Sequence, residues 1–231
     1  MRHIFVDFEM NPIDKRYTEP RKVSKQEIIE IGAVMLDDAL RQISEFRQYV
    51  KPVYGPVQPI IRRMTRIRPS MLAREPGFAQ AMTRFLDWCG EDFTLYTWGP
   101  NDIKCVRDEA ALKMFSDGRL EASYPQWEDF QEAFVKLVGL PHRISLKQAV
   151  GSARAGFTGR AHDALWDAQN TADLFRLSKD EEAFPSLAAA ILEALAPPSP
   201  PEEITEPVSD GNSQQENAEE QQQENAEENT R

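Results

Sequence analysis

The chain has 231 residues, 41% of them hydrophobic, enough for one sizeable α/β domain rather than two. No run of eighteen apolar residues occurs, and Cys89 and Cys105 stand apart from any CxxC or Cys/His spacing, so a membrane span and a structural zinc site are not expected and the chain reads as cytoplasmic with reduced thiols. Nine of the eleven net negative charges lie beyond Ala196, where ten acids face one base, Arg231; residues 1–196 are nearly neutral, and the acidic total does not exclude a nucleic-acid partner.

Met1-Arg2-His3-Ile4 leads directly into a strand expected over residues 2–9, which argues against a signal peptide. In that strand Ile4, Phe5 and Val6 run into Asp7-Phe8-Glu9. Further strands are expected at 28–37 (IIEIGAVMLD) and 43–51 (ISEFRQYVK), joined through Asp38-Ala39-Leu40 as a hairpin. Helices follow near 57–65 and 77–89, the second with Phe78, Met82, Phe85, Leu86 and Cys89 at helical spacing. A strand at 93–98 (FTLYTW) ends at Gly99-Pro100 and is followed by a helix near 102–115. After a short extended piece come helices at 129–138, 145–150, 163–178 and, rich in Ala and Leu, 184–195. This order predicts a mixed central sheet, three antiparallel strands and then parallel ones, flanked by helices.

Residues 1–180 are expected to form the main domain and 181–196 a C-terminal helix packed on it. The stretch PPSPP at 197–201 opens a tail that ends in a duplicated octet, QQENAEEQ then QQENAEEN. Almost no large apolar side chain is present there, so 197–231 is expected to be a disordered, solvating segment.

Charge at the end of a buried strand needs a reason. Asp7 and Glu9 are two residues apart, so both side chains leave the same face of the strand. Asp102 follows the turn after a second strand, which delivers it to the same end of the sheet. Asp167 sits one turn into the helix opened by Asp163, whose side chain is suited to cap the first amides. His162 precedes that cap on a loop carrying Gly156 and Gly159, from which it can swing toward the same place. Carboxylates gathered without a base beside them repel one another in a low-dielectric site. Divalent cations remove that repulsion, and hard oxygen ligands suit Mg²⁺ or Mn²⁺. Two such ions about 3.5–4 Å apart clamp the attacking and leaving oxygens of a phosphodiester displacement. A histidine that titrates near neutral pH is suited to deprotonate the attacking water.

Asp7-Phe8-Glu9, Asp102 and His162-x-Ala164-x-x-Asp167, in that order, resemble the three motifs of the DEDDh exonucleases, the DnaQ-like family of RNase H-like fold. EIIEIGAVML resembles the family's second strand, and Met64-Thr65-Arg66-Ile67 its Leu-Thr-Gly-Ile segment; the likeness spans roughly residues 3–180. Asp-Phe-Glu-Met-Asn, with Trp98-Gly99 ahead of Asp102, is most similar to the branch of histone-mRNA and small-RNA trimming exonucleases and a bacterial sporulation-inhibitor relative. The resemblance implies 3′-to-5′ release of nucleoside 5′-monophosphates, two metal ions held by Asp7, Glu9, Asp102 and Asp167, and His162 as the base.

Two departures stand out. The proofreading members carry Thr-Thr-Gly after the acidic pair, where this chain has Met10-Asn11-Pro12, and Arg66 stands where the family often has glycine. Phe8, Met10 and Asn11 are therefore candidate contacts for the terminal nucleotide, although Phe8 alone also reads as core. Arg62, Arg63 and Arg66, interleaved with apolar residues on a short helix, are candidates for a positive track along the nucleic-acid backbone. The expected partner is a single-stranded or frayed RNA or DNA 3′ end, RNA favoured slightly by the branch resemblance. The alternatives are a catalytically silent binding or regulatory module on the same fold, and a polymerase proofreading subunit. The first would be signalled by loss of a carboxylate or of His162, and all are present; the second is weakened by a tail without a hydrophobic anchor.

Overall fold

The computed structural model of the chain describes residues 1–153 and 158–196. Gly156 and the expected disordered tail lie outside those residues. The sheet has five strands, β1 (Arg2–Pro12), β2 (Gln26–Leu36), β3 (Gln42–Tyr49), β4 (Phe93–Thr97) and β5 (Trp127–Asp129), in the order β3-β2-β1-β4-β5. β1, β2 and β3 pair antiparallel, whereas β1–β4 and β4–β5 are parallel. The mixed sheet is the one read from the sequence.

Ten helices lie between or after the strands in the described residues: α1 (Pro20–Val23), α2 (Pro59–Thr65), α3 (Pro69–Leu72), α4 (Phe78–Cys89), α5 (Asn101–Leu112), α6 (Gly118–Ser123), α7 (Phe130–Val138), α8 (Leu146–Ser152), α9 (Ala164–Ser178) and α10 (Phe184–Leu195). Of these, α1, α3 and α6 were absent from the periodicity. Each spans four to six residues, too few for an apolar face to repeat. Proline at the start of α1 and α3 presets the helical φ there.

Alternation along β1 divides the core in two. Ile4, Val6 and Phe8 pack with Phe78, Met82 and Phe85 of α4 and with Cys105, Val106 and Ala110 of α5. Phe5 points the other way, into a cluster formed by Tyr96, Phe130 and Phe134 of α7, and Ala172 and Phe175 of α9. Asp7 and Glu9 share the parity of Phe5 and so emerge on the face that α9 covers.

Two backbone features shape the end of the sheet where β1 leaves the core. First, β4 pairs with β1 only from Arg2 to Phe5, so beyond Phe5 one edge of β1 is open toward the turn that starts α5. Second, α9 begins directly over β2. A Cβ on Gly32 would stand 2.1 Å from the Leu165 nitrogen and 2.2 Å from the Ala164 carbonyl carbon, so only glycine admits the helix this close. Gly32 is the register partner of Asp7. The missing side chain on β2 is what lets α9 bring its own acid to the acids of β1.

Candidate active site

Four elements deliver side chains to this end of the sheet. β1 carries Asp7 and Glu9. α5 supplies Asp102 from its first turn, buried against the open edge of β1, where the Phe8 amide donates to its carboxylate. α9 supplies Asp167, also in a first turn, and the loop ahead of α9 supplies His162. Asp163 caps α9, its side chain accepting from the Trp166 amide at 3.4 Å. The cap expected from the sequence is therefore present, and it leaves Asp167 free to face inward.

His162 occupies the left-handed region at φ 62°, an unusual conformation for a residue with a Cβ. Its amide donates to Asp167 Oδ2 at 2.9 Å, which ties the loop to the acid. The imidazole itself is exposed. One ligand atom each from Glu9, His162 and Asp167 lies within 4.8 Å of the others. Asp7 and Asp102 stand outside that tight group but inside its field.

That field is strong. Burial raises the Asp7 carboxyl well above the ordinary range, and Asp102, Asp167, Glu9 and Glu30 push it further in the same direction. Glu9 is raised to about 8, by burial first and then by Asp167, Glu30 and Asp163. Asp102 reaches about 7 by burial, although the Phe8 amide opposes the shift. Asp167 rises to about 6, again chiefly by burial, with the His162 amide pulling down and Asp163 pushing up. None of the four carboxylates is ion-paired to a described residue. Hard oxygen donors, mutual repulsion and no resident counter-charge make a donor set that fits divalent cations.

The candidate nucleotide contacts fare differently. Phe8 is buried on the opposite face, with Trp127 stacked at a centroid distance of 6.3 Å and Phe85 edge-on at 6.4 Å, so its side chain is core and not a nucleotide contact. Met10 is half-buried against that same α4/α5 face, and Gln26 Nε2 donates to its sulfur at 2.7 Å. Asn11 is wholly buried. Its Oδ1 accepts from the Gln58 amide at 2.9 Å and its Nδ2 donates to the Pro56 carbonyl at 3.2 Å; it ties β1 to the segment before α2. Burial and these partners turn the Phe8 and Asn11 side chains away from the expected nucleotide contact, whereas Met10 is only half-buried. Arg62, Arg63 and Arg66 are exposed on and just after α2, with no side-chain partner among the described residues. Arg66 closes α2 at φ 64°, ψ 5°, which explains why glycine suits this position.

Two residues of the site escaped the sequence reading. Glu30, the register partner of Glu9, is 1% exposed and carries a carboxyl raised to about 7, by burial first, with Arg47 opposing the shift and Asp163 adding to it. Arg47 on β3 reaches Asp163 and lies 3.4 Å from Glu30 Oε1. A glutamate amid the aliphatics of EIIEIGAVML was the available signal for the first. Arg47 gave none, because its partner on the α9 cap is 116 residues away.

Residues 4–175 match the sequence model of the RNase T type exonucleases, described as "Exonuclease". The chain belongs to that exonuclease family. Among solved structures, the exonuclease fold is shared with the nuclease domain of 3′hExo, a DEDDh family member bound to rAMP. Identity is 22% and the TM-score 0.67, over 78% of this chain and 92% of that one. A full-length 3′-exonuclease is 20% identical with a TM-score of 0.64, and this chain covers 60% of its length. Escherichia coli exonuclease I in complex with a dT13 oligonucleotide is 17% identical with a TM-score of 0.59, over 85% of this chain and 46% of that one. No curated protein sequence matches the chain. The chain spans less than two thirds of the length of that full-length 3′-exonuclease, and no helix among its described residues is long and apolar enough to cross a membrane.

Proposed function

We propose that this exonuclease works from the 3′ end, releasing nucleoside 5′-monophosphates from single-stranded or frayed RNA or DNA with two divalent cations, Mg²⁺ or Mn²⁺. The observation that carries the reading is the convergence of Glu9, His162 and Asp167 within 4.8 Å, beside Asp7 and Asp102, with no cation among the described residues paired to the acids. In this reading Asp7, Glu9, Asp102 and Asp167 hold the two ions. When bound, such ions polarise the scissile phosphate and stabilise charge on the attacking and leaving oxygens.

The chain's own groups do the rest. His162 accepts the proton of the attacking water, and the bond between its amide and Asp167 keeps the imidazole facing the acids. Solvent access at His162 lets that proton leave after each turnover. Exposed Arg62, Arg63 and Arg66 contact phosphates upstream of the terminal nucleotide, a sequence-independent grip. Residues 1–180 form the catalytic unit in this reading, 181–196 support it, and 197–231 are dispensable for turnover on short strands; the setting is cytoplasmic. One structural neighbour holds the ribonucleotide rAMP and another a dT13 oligonucleotide, so the preference between RNA and DNA is left to assay, with RNA the first choice.

Purified protein incubated with 5′-labelled single-stranded RNA and DNA tests the reading. A ladder shortening from the 3′ end, 5′-monophosphate products and abolition by EDTA are expected. No release from either polymer with Mg²⁺ or Mn²⁺ would sink it.

A further inference from the structure

Glu30 and Asp163 bring two more acids to a site already crowded with four, and both sit against the start of α9. Asp163 uses both carboxylate oxygens. Oδ1 accepts from Arg47 and from the Trp166 amide, and Oδ2 lies 3.3 Å from Arg160 Nη2. Glu30 takes the Ala164 amide, yet its Oε1 has no hydrogen-bond partner among the described residues, only the Arg47 Nε at 3.4 Å. One guanidinium on β3 therefore joins the strand position opposite Glu9 to the cap of the helix that carries Asp167. Its planar fork can serve two carboxylates from one fixed orientation, which an ammonium cannot do.

We propose that Arg47 is a positioning residue of the metal site: by bridging Glu30 on β2 to Asp163 on the α9 cap, it sets the spacing between Glu9 and Asp167. The proposal rests on the metal-site reading above and extends it to a residue that touches neither metal nor substrate. Two features support positioning over general stability. Gly32 already seats α9 on β2 by backbone contact, so the helix does not need Arg47 in order to dock. The bridge instead fixes rotation and slide of the first turn, to which a two-carboxylate site is most sensitive. Without Arg47, the Glu30 and Asp163 carboxylates would repel each other at the start of α9.

Full-length Arg47→Gln and Arg47→Lys chains, with Arg41→Gln of the β2–β3 turn as control, test the idea by three readouts. These are Mn²⁺ binding by EPR titration, metal-free Tm, and the split of kcat from KM on a labelled oligonucleotide. Arg47→Gln should keep a folded core and weaken Mn²⁺ binding by about tenfold to a hundredfold, the range for groups that orient metal ligands. Its kcat should fall at nearly constant KM, Arg47→Lys should recover part of both losses, and Arg41→Gln should match the wild type. Adding Glu30→Gln to Arg47→Gln should cost less than the two single effects combined, because both act on one bridge. Unchanged Mn²⁺ affinity in a folded Arg47→Gln chain would overturn the proposal. So would a rise in KM at constant kcat, which would make Arg47 a substrate contact. If Arg47→Gln does not fold, Arg47→Lys decides by the same readouts. If the wild type binds Mn²⁺ but releases no nucleotide, the exonuclease reading fails while the titration still decides for Arg47.

Discussion

Two clusters of buried acids lie within this fold, and they are built on opposite plans. Glu27 is fully buried, yet its carboxylate accepts from the Val53 and Tyr54 amides at 2.8 and 2.7 Å and from Lys113 at 2.6 Å. Glu109 joins it, accepting from the Ile28 amide at 2.6 Å with Lys113 at 3.7 Å. At the other cluster, Asp7, Glu9, Asp102 and Asp167 share a few backbone amides and, among the described residues, no cation. A raised pKa does not tell the two apart, because Glu109 and Glu9 are both pushed to about 8, by burial first. What separates them is whether the counter-charge is part of the chain. The first cluster is complete and holds α5 to β2; the second, in the proposed reading, takes its counter-charge from bound cations.

The comparison breaks most sharply under alanine. Asp7→Ala or Asp167→Ala should lower turnover by more than about a hundredfold, the scale of lost preorganised electrostatics. Tm in metal-free buffer should stay level or rise, because repulsion is relieved. Glu27→Ala should do the reverse. Leaving two amides unpaired and Lys113 with only the more distant Glu109 costs about 3–5 kcal/mol, which lowers Tm by roughly 10 °C, while catalysis at permissive temperature persists. Circular dichroism melts and initial rates on one oligonucleotide read both. A large fall in Tm for Asp7→Ala would make its acid structural after all.

Gly32→Ala attacks the site through its scaffold. The new methyl would meet the backbone of Ala164 and Leu165, and only movement of α9 can relieve that contact. Displacement of reacting groups by about 1 Å can cost about a hundredfold in rate, so kcat should fall by that order with all five site residues intact. Unchanged kcat would show that Asp167 does not depend on how α9 seats.

Titration separates the clusters more gently. The carboxyls of Glu9, Asp102 and Asp167 have higher pKa values in the folded chain than in the unfolded one, so the folded state holds more protons between about pH 4 and pH 8. Stability of the metal-free chain must then fall as pH rises through that window. Tm at pH 5 should exceed Tm at pH 8, and Mn²⁺ should raise Tm far more at pH 8, where it meets carboxylates already ionised. Glu109 contributes a fall of the same sign that Mn²⁺ does not remove. A metal-free Tm that climbs from pH 5 to pH 8 would contradict the assignment.

Much of this was legible in the residues because it is local. The pair Asp7 and Glu9 declares its common face by a spacing of two, and the cap at Asp163 separates it from Asp167 within one turn of α9. What stayed hidden depends on distant partners. Met10 and Asn11 looked like the mouth of a pocket because they follow the acids. Yet the 56–58 segment that Asn11 bonds buries it, Met10 is half-buried beside Gln26, and neither partner lies within ten residues. Phe8 obeyed its parity and went to the core. Glu30 and Arg47 each follow ordinary strand alternation, and their meeting with Asp163 exists only once α9 lies across β2.

The smallest expected effect concerns the exposed counterpart of these acids, Arg62, Arg63 and Arg66, whose side chains lack a partner among the described residues. Arg66 holds a left-handed conformation that costs a residue with a Cβ about 1–2 kcal/mol, whereas glycine adopts it freely but loses about 0.4–1 kcal/mol through the entropy of the unfolded chain. Arg66→Gly should therefore leave Tm unchanged or raise it by about 2 °C. If the side chain grips a phosphate, the same change should weaken binding to a single strand and reduce the slope of log K against log salt by about 0.7. The two readouts are independent. A lower Tm would mean that Arg66 has a partner on the protein, and an unaltered salt slope would remove it from the nucleic-acid track and leave Arg62 and Arg63 to carry that role.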